Sequence, residues 1–232
     1  MSPKLVFVGA STAAAAFLSM SSAAAVVASW SITTAFPTGT GQVPTGQNYS
    51  VGAADAGDQT ANSELRSFHT LAAATYTSPA GNGSQYSFSS NNWSSGDYYE
   101  ARVSTSNYSN ISVSWDQARS STGPASFELI FSTNGGLSFT TVVASYAVLQ
   151  SGGGGAPGTW STSTYNALYT SSQALAGAED ASQLLIRFRS LVTTAASGSN
   201  RIDNVVISGD LVPAPGAVAL LAVAGLVSRR RR

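Results

Sequence analysis

From Trp30 to Ile207 the chain keeps alternating apolar and polar positions, the period of a half-buried β-strand. In ASWSITTA, Trp30 and Ile32 share one face. In YYEARVS, Tyr99, Ala101 and Val103 share a face, and Tyr98, Glu100 and Arg102 take the other. ISVSW sends Ile111, Val113 and Trp115 inward with serines between them. SFELIFS sets Phe127, Leu129 and Phe131 against Glu128 and Ile130. LLIRFRS sets Leu184, Ile186 and Phe188 against Arg187 and Arg189, and RIDNVVIS closes the series. No stripe of helical period runs between the two ends, and Ala174 to Leu184 has room only for a short helix or turn.

The breaks between these runs are turn residues. In STNGGLSFTTV, Phe127 to Ser132 predicts one strand and Ser138 to Ala144 its return. Asn134, Gly135 and Gly136 between them supply the positive φ of a tight hairpin. This stretch resembles an Asp-box, with Asn134 for Asp, Ser138 for Thr and Phe139 for Trp. That motif shapes a hairpin and lies away from catalytic centres, and one copy does not make a propeller. SGGGGAPG, Ser151 to Gly158, predicts a surface loop, and residues 36–60 predict irregular structure. Eight or more short strands in one domain predict an all-β fold, a two-sheet antiparallel sandwich of the jelly-roll kind.

Composition sharpens this picture at the two ends. The start carries Lys4, a mostly apolar run from Leu5 to Leu18, and then Ala23-Ala24-Ala25, which is the plan of a secretory signal peptide. Val26-Val27-Ala28 offers a second cleavage site. The end reads Val212-Pro213-Ala214-Pro215, an apolar run from Gly216 to Val227, and Arg229, Arg230, Arg231 and Arg232. Even counted from Val212 to Ser228 the segment is 17 residues, at the short limit for spanning a bilayer, where about 20 are usual. Arginines at one end would stay on the cytoplasmic side and leave the body outside. The chain thus divides into a signal peptide (1–25), a sandwich (26–211) and a tail (212–232), flanked by a signal helix and an apolar tail helix. Between the ends, six arginines face eleven acidic residues, a net charge of −5, which argues against nucleic acid as a partner. The absence of cysteine excludes disulfides, thiolate metal sites and thiol nucleophiles.

The order of prolines, apolar helix and arginine cluster resembles the PEP-CTERM sorting signal of exported bacterial proteins, with Ala214 where that motif has Glu. The same tail type is also labelled an ice-binding protein C-terminal region, a label for the tail alone. The resemblance implies transient membrane insertion of the tail, an exosortase-type protease as a partner, and delivery to the cell surface or extracellular matrix. SNRIDNVVISG resembles the last strand of carbohydrate-binding-like jelly rolls of exported proteins, which implies an architecture and no activity.

The body offers several weak candidates for chemistry. His69 is the only histidine, and no nucleophile elbow accompanies it. Asp97, Glu100, Asp116, Glu128 and Asp203 are scattered acids with no spacing that pairs them for glycoside hydrolysis. Asp203 and Asn204, at the start of the last strand, stand where related jelly rolls hold a structural calcium ion, a cation that takes six to eight oxygens. Asp55 and Asp58 are a second acid pair in a loop. Trp93, Tyr98, Tyr99 and Trp160 are candidates for stacking on sugar, whereas Trp30 and Trp115 alternate with aliphatics as core residues do. The leading expectation is a non-enzymatic, exported surface or matrix protein with a structural or adhesive role and polysaccharide as a partner. The alternative is a carbohydrate-binding module with a defined glycan site, and the third reading is a glycan-active hydrolase.

Overall fold

The structure, a computed structural model, describes residues 24–35 and 43–212. Twelve strands follow one another: β1 (Ala24–Trp30), β2 (Asn48–Gly52), β3 (Glu64–Phe68), β4 (Tyr76–Thr77), β5 (Phe88–Asn91), β6 (Tyr98–Val103), β7 (Tyr108–Arg119), β8 (Ser126–Ser132), β9 (Thr140–Ala147), β10 (Thr170–Ala174), β11 (Leu184–Ser190) and β12 (Ser199–Leu211). They build two six-stranded sheets whose pairings are all antiparallel. The first runs β10-β7-β12-β5-β4, with β1 sharing the β5 edge of β12; the second runs β2-β3-β6-β11-β8-β9. This is the sandwich that the period-two pattern predicts. Between Ala174 and Leu184, which end β10 and begin β11, the chain forms turns and no helix.

The sheets face each other across aromatic and aliphatic side chains. Tyr99, Phe188 and Leu129 sit opposite one another on β6, β11 and β8, so they share the inner face of the second sheet. They meet the first sheet through Trp115, 5.0 Å from Phe188, and Phe88, 5.2 Å from Tyr99. Such ring pairs add about 0.5–1.5 kcal/mol to the value of the area they bury. The strand β1 is gripped on both sides. Along one edge it pairs with β12. Along the other, the Asp58 and Gln59 amides donate to the Val26 and Val27 carbonyls at 3.1 and 2.8 Å. Gly57 permits this approach: its φ is +112°, and a Cβ there would lie 2.6 Å from the Val27 carbonyl oxygen.

In the β8–β9 hairpin, Asn134 does the work of an Asp-box aspartate. Its Oδ1 accepts from Ser132 Oγ and from the Ser138 amide, and its Nδ2 donates to Ser138 Oγ. Drawing Ser138 into the turn delays the return strand to Thr140. That strand then carries two register shifts against β8, irregularities that blunt a free sheet edge.

His69, 2% exposed, joins one carboxyl and one hydroxyl group inside the fold. Its Nδ1 lies 3.1 Å from Asp97 and its Nε2 3.2 Å from Ser90 Oγ. The order of contacts matches a Ser-His-Asp triad, but all three side chains are buried and Trp93 and Tyr76 cover the imidazole. Their work here is structural. Asp97 also accepts from the Thr70 and Ser94 amides at 2.7 and 2.6 Å, tying the segment after β3 to the β5–β6 loop. Burial pushes the Asp97 carboxyl up, but the bonds from His69, Thr70 and Ser94 outweigh it and hold the group below the usual carboxylate range. The stability it contributes is therefore present above the unfolded value of about 3.9 and lost as pH falls through the folded one. Asp97→Asn is expected to cost about 1–3 kcal/mol at pH 7. In urea denaturation the gap between wild type and variant should close below about pH 4; a gap that stays constant into acid would refute this.

Candidate functional site

The two outer faces of the sandwich differ in kind. On the second sheet, register places Ser50, Arg66, Glu100 and Arg187 in one row. Phe68, Tyr98, Arg189 and Glu128 form the next, and Glu64, Arg102 and Leu185 a third. Glu100 is fully buried although it points outward, because two arginines close over it. Arg66 Nε donates to its Oε1 at 2.9 Å and Arg187 Nε to its Oε2 at 2.6 Å. Arg189 binds Glu128 in the same way. The Arg187 guanidinium lies between two rings, 4.0 Å from the centre of Tyr98 and 4.3 Å from that of Phe139, the latter delivered by the β8–β9 turn. Phe68 stacks on Tyr98 at 5.4 Å. The result is a ladder of rings and a guanidinium across β3, β6 and β11.

At the end of this face where β3 begins and β6 ends lies an open groove of about 740 Å³. Its walls are Ser50, Gly52 and Ala53; Asn62, Ser63 and Glu64; Arg102, Val103, Ser104 and Ser106; and Ser182 and Gln183. Hydroxyls, amides and one charge of each sign dominate it. Arg102 is unusual among the outward arginines. Glu64 lies 3.8 Å from its Nη1, too far for a hydrogen bond, and its buried Nε has no partner among the described residues.

The outer face of the first sheet is instead roofed by residues 78–85 and 158–169. Beneath that roof Asp116 stands directly opposite Asp203. Like charges so placed repel. Asp116 accepts from Asn82 Nδ2 at 3.0 Å, Asn204 Nδ2 at 2.7 Å and Thr170 Oγ1. Asp203 Oδ2 accepts from the Asn82 amide and Ser84 Oγ, while its Oδ1, also buried, has no partner among the described residues. A Cβ at Gly81 would collide with Ser84 Oγ and lie 2.5 Å from Asp203 Oδ2, so only glycine fits the roof there. Burial first, and Asp116 in addition, push the Asp203 carboxyl up to about 7 against the pull of its hydrogen bonds. Among the described residues no three His, Cys, Asp or Glu side chains gather. The two facing carboxylates, with Asp203 Oδ1 unpartnered, are oxygen ligands of the kind calcium takes, whereas Asn82 and Asn204 turn their Nδ2 groups, not their oxygens, toward Asp116.

The residues singled out from sequence scatter. Trp93 and Tyr99 are core residues, 1% and 0% exposed, and cannot meet a glycan. Trp93 Nε1 donates to the Ser90 carbonyl and Tyr99 OH to that of Asn200. Trp160 packs in the roof, donating to the Ala80 carbonyl at 2.7 Å with Tyr169 and Arg201 against its ring. Only Tyr98 of the four reaches the ladder, where Phe68 and Phe139 join it unforeseen. Asp203 and Asn204 do meet, and they gain Asp116 and Asn82, which no local pattern announced. Asp55 accepts from the Ser31 and Ile32 amides and Asp58 from Tyr108 OH, so that pair is divided between two structural tasks. Val212 donates its amide to the Asn107 carbonyl. The rest of the tail, Pro213, Ala214, Pro215 and Arg229 to Arg232 included, lies outside the described residues, as does most of the expected signal peptide. Among the described residues no helix is long and apolar enough to cross a membrane.

No protein-family model matches the chain, and no curated protein matches it in sequence. Solved structures give distant likenesses. The K1 cleaved adhesin domain of Lys-gingipain from Porphyromonas gingivalis W83 is 12% identical at a TM-score of 0.43, over 78% of this chain and 97% of that one. The family 11 carbohydrate-binding module of Clostridium thermocellum is 12% identical at 0.33, over 81% and 99%.

The Asp203 carboxyl sets a pH signature. Its folded value near 7 lies above the unfolded value of about 3.9, so metal-free protein should lose stability as pH rises from about 4 to 7. Asp203→Asn is expected to flatten that slope and to melt higher than wild type at pH 8 in EDTA. Parallel melting curves for the two proteins across this range would contradict the assignment.

Proposed function

We propose that the protein is an exported, non-enzymatic glycan-binding sandwich that takes a saccharide chain along the outer face of its second sheet. The observation that supports this most is the groove beside the ring ladder. Its lining exposes more polar than apolar surface, so an apolar ligand is the poorer match there. Hydroxyl, amide and carboxylate groups set side by side suit a polyhydroxylated chain, which gains many modest hydrogen bonds. The half-exposed Phe68 supplies a ring for stacking at the neighbouring edge. An adhesive role follows from this binding. Calcium between Asp116 and Asp203, with the Asn204 amide turned to present its oxygen, would neutralise the facing carboxylates and fix the roof, far in function from the groove.

In this reading the tail, residues 212–232, is recognised by an exosortase-type protease and residues 1–25 are removed on export. Cleavage after Ala25 leaves the gripped part of β1 intact. Cleavage after Ala28 would discard Val27 and Ala28, both fully buried.

Two measurements test this. On a glycan array, the double variant Asn62→Ala and Gln183→Ala should bind about tenfold more weakly, a loss of ~1.4 kcal/mol, with an unchanged melting temperature. Binding that is unaffected would move the site elsewhere. Intact mass of protein from native cells and medium should show a start at Val26 and a loss of the residues beyond about Val212. A retained arginine cluster would remove the sorting reading.

A further inference from the structure

We infer that the groove selects an anionic polysaccharide, one that presents a carboxylate or sulfate to Arg102. This rests on the glycan-binding reading above and names its substrate class.

The argument begins with how charge is distributed. The body is acidic overall, yet four of its six arginines, Arg66, Arg102, Arg187 and Arg189, stand on one face. Only three glutamates share that face, while the other eight acids lie elsewhere. The face is therefore the cationic patch of an acidic protein, and an anion approaching from solution is steered to it and away from the rest.

Pairing then shows which cation is in excess. Glu100 is occupied by Arg66 and Arg187, and Glu128 by Arg189. Glu64 sits between Arg66 at 3.5 Å and Arg102 at 3.8 Å and hydrogen-bonds to neither. Among the described residues the Arg102 guanidinium makes no hydrogen bond, and its Nε is buried without a partner. It is also the one arginine that lines the groove. A guanidinium presents its donors as a planar fork that matches a carboxylate or sulfate with two parallel bonds, and charge-assisted bonds of this kind are about twice as strong as neutral ones. A sugar hydroxyl would engage the fork with one acceptor only. Glu64 does not reverse the balance, because two arginines flank it.

The test uses the full chain with polygalacturonate, dextran sulfate and neutral mixed-linkage glucan as probes, in titration calorimetry at about 50 and 300 mM NaCl. Binding to polygalacturonate or to dextran sulfate, weakened by salt, supports the inference, and whichever polymer binds more tightly assigns carboxylate or sulfate. Arg102→Gln should weaken that binding about tenfold or more, and Arg102→Lys, which keeps the charge and loses the fork, should fall between. Circular-dichroism melting of both variants controls for folding, and loss of anion binding by Arg66→Gln in place of Arg102→Gln would overturn the assignment to Arg102. Binding of the neutral glucan alone would overturn the anion preference and leave the glycan reading standing. Binding of none of the three overturns both.

Discussion

The register between β6 and β11 is the constraint on which core and site both depend. Tyr99 faces Phe188 on the inside, and Glu100 faces Arg187 on the outside. A slip of one residue would send Phe188 to solvent and drive a guanidinium between the sheets. The aromatic contacts of the core therefore hold the outward ion pairs in place, and the ion pairs in turn penalise the alternative register. Glu100 is the pivot, since its two oxygens bind arginines from the strands on either side. Removing that carboxylate would leave two guanidinium groups facing each other across one strand.

The outer faces show two ways of handling polar groups on a sheet. On the first sheet the polar groups are sealed under loops, where each must find a partner or carry a cost. Many do, several through the Asn82 side chain and backbone; among the described residues Ser78 Oγ and Asp203 Oδ1 do not, and the latter belongs to a carboxyl pushed toward neutrality. On the second sheet the polar groups remain open, and there the uncommitted donors of Arg102 border free volume. Burial makes the first face a matter of stability, and openness makes the second a matter of recognition.

Much of the fold was legible because period-two alternation reports directly which side of a strand is dry. Phe127, Leu129 and Phe131 point inward, as do Ile111, Val113 and Trp115. The site was far less legible. Trp93 sits among Ser, Asn and Gly and reads as a surface aromatic, yet its loop folds back on the core beside His69 and Tyr99. Phe139 was visible only as a variant of a turn motif, and its place over Arg187 follows from the hairpin's fold across the sheet. Asn82 and Asp203 are 121 residues apart, and no single-sequence pattern carries such a pairing. Glu100 and Arg187 were each read as polar positions of separate strands; their partnership appears only when β11 is laid against β6.

One last consequence concerns force. β12 is hydrogen-bonded along both edges, to β7 on one side and to β5 and β1 on the other. The chain leaves it at Leu211, and Val212 is still fastened to Asn107, next to the groove residue Ser106. Tension drawn through the tail thus acts along the length of the central strand of its sheet. It shears two rows of hydrogen bonds at once, whereas pulling on an edge strand would peel them singly. A protein tethered by that end and holding a polymer in its groove would be loaded in the direction in which a sheet gives way last.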